Sequence, residues 1–156
     1  MSKAQIAMTD LFLAVFLFII LAAFFFIAWD TYQKRLYDTI SRSEMEIYTI
    51  QITNQILRSP GVPENWEYFN KTPDAIGLAD KYNSISDKKL SGLKNLNYTD
   101  IKDLMNLGSY NFYFLLKQSN NSIFEIGDYP SGQSVNLRRY VTYKNEPAIV
   151  EVSLWK

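Results

Sequence analysis

From Leu11 to Trp29 the chain reads LFLAVFLFIILAAFFFIAW, nineteen uncharged residues without proline or glycine, bracketed by Asp10 and Asp30. Wound as a helix this stretch spans about 28 Å, close to the roughly 30 Å hydrocarbon core of a bilayer. Its side chains are apolar all round, and a helix satisfies its own backbone groups in lipid. The 127 residues after Trp29 are too few to wrap every face of it, so a membrane span is expected in preference to the buried helix of a soluble protein. Trp29 and Tyr32 stand where aromatic interface anchors belong.

Beyond Asp30 neither proline nor glycine occurs until Ser59-Pro60-Gly61-Val62-Pro63, which ends any helix. Leu36, Ile40, Ile47, Ile50 and Leu57 recur at helical spacing, with Tyr32 four places before the first, while Lys34, Arg35, Asp38, Arg42, Ser43, Glu46 and Gln51 fill much of the rest. This predicts an amphipathic continuation with that apolar face buried. A single helix from about residue 5 to 58 would be roughly 80 Å long.

Residues 60–83 are rich in Pro, Gly, Asn and Asp and read as a loop pinned by Trp66, Tyr68 and Phe69. A short helix capped near Ser86 is predicted through about Leu93, and a second from Thr99 to Gly108, with Asp100 and Asp103 at the favourable end of its dipole. The period then changes to two. Tyr110, Phe112, Phe114 and Leu116 alternate along a strand, followed by Ile123 to Ile126, Val135 to Tyr143, and Ala148 to Trp155, with turns between them. Ala148, Val150, Val152 and Leu154 share one face of the last strand, and Arg138 and Arg139 point to opposite faces of the third. Four strands with short connections predict an antiparallel meander packed on the amphipathic helix. The expected fold is therefore α+β: residues 5–30 a membrane-spanning helix, 31–59 its amphipathic extension, and 60–156 a small head with an antiparallel sheet.

Composition narrows the chemistry. Among 156 residues there is no His and no Cys, which removes imidazole bases, thiol nucleophiles, disulfides and the usual zinc, haem and iron–sulfur ligand sets. Sixteen basic residues balance sixteen acidic ones, so no net basic field exists to hold nucleic acid. Asp100 with Asp103 and Asp74 with Asp80 read as helix-start and loop charges, and no phosphate-cradling glycine loop or metal constellation stands out. No catalytic, cofactor-binding or metal-binding residue is assigned, and a non-enzymatic role is expected. A secretory signal would have an apolar core of about 7–15 residues and a small-x-small site; this run is longer and ends Ala28-Trp29-Asp30, so retention in the membrane is expected. Lys3 on one side and Lys34 with Arg35 on the other leave orientation open by charge. Three acceptor triplets, beginning at Asn70, Asn97 and Asn120, all follow the span; they are glycosylation candidates and tilt the carboxy-terminal part toward the outside.

The order of a short basic leader, one long apolar helix and a β-rich head resembles an archaeal type IV pilin-like protein with a class III, prepilin-type signal. Lys3-Ala4-Gln5 stands where that family has a basic residue, a small residue and Gln as the first mature residue. The resemblance implies a leader of residues 1–4, cleavage between Ala4 and Gln5 by a prepilin peptidase, and a mature protein that keeps its span. Many such subunits carry Glu at the fifth mature position, meeting the amino terminus of a neighbour. Here the fifth mature residue is Thr9 and the acid is Asp10, the sixth.

Two functions are expected from these readings. The first is a structural subunit or minor component of a pilus-like surface filament, anchored in the membrane before assembly and packed through the apolar helix afterwards. Its partners would be the membrane, copies of itself or other pilin-like subunits, the peptidase and assembly machinery. Asp10, Phe16 and Phe24 are its candidate assembly contacts. The second is an uncleaved, single-pass surface protein whose head binds a partner; of the twenty-one Tyr and Phe residues, the many that fall in the head either fill its core or give it an adhesive face.

Overall fold

The computed structural model describes residues 3–69, 72–119 and 121–156. Helix α1 runs unbroken from Lys3 to Arg58, as the absence of Pro and Gly dictates. A 3-10 turn at Trp66–Tyr68, strands β1 (Ala79–Lys81) and β2 (Ser84–Ile85), helices α2 (Asp87–Lys94) and α3 (Tyr98–Leu104), and strands β3 (Asn111–Gln118), β4 (Asn121–Gly127), β5 (Ser134–Tyr143) and β6 (Glu146–Trp155) follow. The fold is α+β. Contacts divide the chain into two compact units within α1: the residues to Arg42, and those from Ser43 onward.

The second unit holds a six-stranded sheet in the order β1-β2-β5-β6-β3-β4. The four long strands stand close to their sequence-derived bounds, but they do not form a meander. The hairpins β3–β4 and β5–β6 are both present, and β6 lies between β5 and β3, so the β4-to-β5 connection passes across two strands. The sheet is mixed, because β2 pairs in parallel with β5 through Ser84↔Thr142 and Ile85↔Tyr143. Strands β1 and β2 were not expected: β1 falls inside the predicted loop, and both are too short to show a period of two. The β5–β6 hairpin turns at Lys144 and Asn145, whose φ angles of 50° and 64° give the twist that a two-residue hairpin needs. The turn therefore falls between the two predicted strands, and Glu146 and Pro147, expected outside the last strand, begin β6.

One sheet face forms the core. Phe112, Phe114 and Leu116 of β3, Val150, Val152 and Leu154 of β6, and Val141 and Tyr143 of β5 pack with Ile101, Leu90 and Leu93 of the short helices and Met45, Ile52, Ile56 and Leu57 of α1. The opposite face carries a small cluster of Tyr113, Leu115 and Trp155. Arg138 pairs with Glu151 directly across the strands at 3.0 Å on that face, whereas Arg139 is an exposed residue on the core-side register.

Two local features fix the loop region. Lys89 is buried, and its ammonium donates to the carbonyls of Pro60 and, at 2.7 Å, of Glu64, tying α2 to the segment that leaves α1. The Tyr98 hydroxyl accepts from the Phe112 N–H at 2.9 Å and donates to the Phe112 carbonyl at 3.1 Å, replacing a strand partner where β4 ends. Asn97, not Thr99, occupies the N-cap position of α3, and that helix stops at Leu104, before the predicted Gly108.

Candidate functional site

In the first unit, every large apolar side chain from Met8 to Ile27 is exposed, from 48% at Ile20 to 77% at Phe12. The helix is long and apolar enough to cross a membrane. The sequence folds this way because nineteen uncharged residues propagate a helix without a breaker, and nothing in their own unit covers them. Asp10, Phe16 and Phe24 are exposed on this surface. At 100° per residue, Phe16 and Phe24 stand about 80° apart and Asp10 about 40° beyond Phe24, so the three occupy one broad sector. Ala4 and Gln5 fall in the first turns of α1, and Met1 and Ser2 of the expected leader lie outside the described residues.

The run ends in an aromatic ladder. Phe25 stacks on Trp29 with ring centroids 6.3 Å apart, and Trp29 meets Tyr32 at 6.4 Å. Beside it, Asp30 and Lys34 pair at 2.7 Å, one helical turn apart. The Thr31 hydroxyl donates back to the Ile27 carbonyl at 2.9 Å, so the polar groups at this end are spent on the helix itself. An apolar cylinder closed by rings and a charge pair is the arrangement that a membrane–water boundary favours.

In the second unit, α1 presents two faces. Met45, Thr49, Ile52, Thr53 and Ile56 are buried against the sheet. The two threonines are accommodated because each hydroxyl donates to the carbonyl four residues earlier, Thr49 to Met45 at 2.6 Å and Thr53 to Thr49 at 2.7 Å. Ile47 stands about 200° from Met45 around the helix and is 56% exposed, and Ile50 is also exposed. Beside Ile47, Tyr48 meets Tyr110 at 5.8 Å, and with Glu44 and Gln51 they line a shallow groove of about 360 Å³. In the first unit Leu36 and Ile40 are exposed as well. This corrects the sequence expectation: of the five apolar residues placed on the buried face, only Leu57 is buried. The sheet takes a different face, which sequence reasoning missed because Thr49 and Thr53 read as polar.

The aromatic residues divide. Phe112, Phe114, Tyr113 and Tyr143 are buried, whereas Tyr68, Phe69, Tyr82, Tyr129 and Tyr140 are exposed. Burial pushes the Tyr113 phenol up to about 12, helped by its hydrogen bond to the Glu125 carboxylate. Burial also raises Tyr143, which donates to Asp87; Asp87 in turn is lowered by that bond and by Lys144 at 3.2 Å. This trio joins the start of α2 to the β5–β6 turn and is structural. Among the described residues no group of three or more acidic side chains is placed to hold a metal ion. Of the glycosylation candidates, Asn97 is exposed, and Asn70 and Asn120 lie outside the described residues. No protein-family model, curated protein or solved structure matches this chain.

Proposed function

We propose that the protein is a structural subunit, major or minor, of a pilus-like surface filament. It is held in the membrane by α1 before assembly and packs through the exposed surface of α1 afterwards. The observation that carries this reading is the outward apolar series Leu36, Ile40, Ile47 and Ile50. Those residues lie past the aromatic boundary at Trp29 and Tyr32, where lipid contact does not require them, and they are not used by the head's own core. A simple anchor needs apolar side chains only as far as the boundary; a helix that meets other helices beyond it needs them further on. The resemblance of the leader and overall plan to type IV pilin-like proteins supports the same conclusion. Asp10, Phe16 and Phe24 are assembly contacts in this reading, and no catalysis is required of the chain.

A second reading is favoured by the exposed Tyr68, Tyr82, Tyr129 and Tyr140: an uncleaved single-pass surface protein whose head binds another protein. Intact mass and amino-terminal sequencing of chain recovered from cell-surface shear fractions, beside membrane fractions, separate the two. A chain that begins at Gln5 in sheared filaments supports assembly after prepilin processing. A chain that begins at Met1 or Ser2 and occurs only in membranes refutes it.

A further inference from the structure

We propose that the heads of neighbouring subunits join edge to edge, strand β4 of one copy pairing antiparallel with the open edge of β5 in the next. This pairing presupposes the filament reading above and supplies its contact between heads.

The sheet ends in β1 and β4, and the two ends differ. The β1 end is held to the residues leaving α1: the Ala79 N–H donates to the Ser59 carbonyl at 3.2 Å and the Leu78 N–H to the Ile56 carbonyl at 2.8 Å. Strand β4 pairs with β3 on one side and has no strand on the other among the described residues. It contains neither Pro nor Lys, residues that commonly blunt an edge. A second open edge lies on β5, because β2 covers only Thr142 and Tyr143. Residues 134–141 of β5 pair with β6 alone. Both edges present backbone groups available for strand addition.

Direction and chemistry match the two. Strand β4 is antiparallel to β3, while β3 and β5 are both antiparallel to β6, so β4 runs opposite to β5. Copies repeated in one sense along a filament therefore bring β4 against β5 antiparallel. Glu125 and Arg138 belong to the same sheet face, since their respective partners Leu115 and Glu151 are themselves opposite each other. Setting Glu125 against Arg138 places Ile126 against Leu137 and Phe124 against Arg139 on the other face. Phe124, Ile126 and Leu137 are only half-buried in the single chain, and this register covers them. Arg139 is exposed and has no ion pair among the described residues; over the Phe124 ring its guanidinium gains a cation–π contact. Arg138 already pairs with Glu151, yet its side chain stays 72% exposed, leaving N–H groups for a second carboxylate.

Charge also selects the partner. Two β5 edges would set arginines against each other, whereas β4 answers them with the exposed Glu125. The irregularity between Leu116 and Lys117 of the β3–β4 pairing leaves Ile123 as the extra residue of β4, and it closes the matched segment there. An open hollow of about 440 Å³ lined by Asn83, Tyr140 and Val141 leaves room for Ile123 before β2 begins. The two joined edges are different surfaces, so the contact is heterologous and propagates along a filament.

The test uses the full-length chain, in sheared filaments and in detergent. Edge amides within 124–127 and 136–139 of the wild type are expected to exchange roughly tenfold slower in filaments than in the solubilised chain; equal rates overturn the pairing. The chain has no cysteine, so introduced thiols report the register. Glu125→Cys combined with Arg138→Cys, oxidised in filaments, is expected to give a ladder of covalent multimers, because directly opposed residues lie within disulfide reach. Either single variant should stay monomeric, and Glu125→Cys with Tyr140→Cys, two residues out of register, should give no ladder. Filaments of the Glu125/Arg138 variant without a ladder, or dimers from Glu125→Cys alone, overturn the pairing and leave the filament reading standing. If that variant does not assemble, the wild-type exchange decides. A wild-type chain that forms no filaments and begins at Met1 or Ser2 refutes the filament reading, and the pairing falls with it.

Discussion

Replacing Ile40 and Ile47 together by serine separates assembly from anchoring. Each side chain is 56% exposed in the single chain, and full burial of an isoleucine is worth about 1.5–3 kcal/mol. Covering the exposed part in an assembly therefore contributes about 1–1.5 kcal/mol per residue, or about 2–3 kcal/mol per subunit for the pair. At about 1.4 kcal/mol per factor of ten, the concentration of free subunit in equilibrium with filaments rises roughly 30- to 150-fold. The fold itself should not notice, because neither residue belongs to the core cluster. The assay is the ratio of sheared filament to membrane-bound chain, with thermal unfolding of the detergent-solubilised protein as a control. Filament yield should collapse while membrane content and melting temperature stay within error of wild type. Unchanged filament yield in the double variant, with the melt also unchanged, would refute the claim that the outward face of α1 carries assembly.

Further outcomes concern the head. Lys89→Met keeps the aliphatic stem but leaves the Pro60 and Glu64 carbonyls without their donor; a loss of about 2–4 kcal/mol is expected by urea unfolding, with faster hydrogen exchange at 59–66. Tyr98→Phe removes the hydroxyl that serves both backbone groups of Phe112 and should cost about 1–3 kcal/mol, read by the same unfolding curve. The Tyr113 phenol, pushed up to about 12, stabilises the fold in its neutral form. That contribution is complete below about pH 10, where the unfolded phenol titrates, and fades as pH rises toward 12. Tyr113→Phe should therefore flatten the alkaline limb of the stability curve and, at pH 7, cost only what the hydrogen bond to Glu125 contributes, about 0.5–1.5 kcal/mol.

The legible parts of this fold were those with a long, uninterrupted period. The nineteen apolar residues and the break at Ser59-Pro60 set both ends of α1's reach, and the two-residue alternation placed β3 and β6 to within a few positions. The illegible parts were decided by partners distant in sequence. Strand order depends on which of two hairpin edges β6 meets, and no local pattern encodes that choice. Which face of α1 is buried was misread because Thr49 and Thr53 hide their hydroxyls by bonding to their own helix, a device invisible to a count of apolar positions.

The placement of β6 between β3 and β5 has a consequence in time. β6 is the last of the described strands to be synthesised, yet it pairs along nearly its whole length with both neighbours. At about 5–20 residues per second, the interval between completing the apolar stretch at Trp29 and reaching Trp155 is roughly 6–25 s. Throughout that interval the apolar stretch of α1 already exists as a complete segment, while the sheet that shelters Met45, Ile52 and Ile56 lacks its centre. In the membrane-anchored reading proposed above, the anchor is therefore available before the head is complete, and the head matures after it.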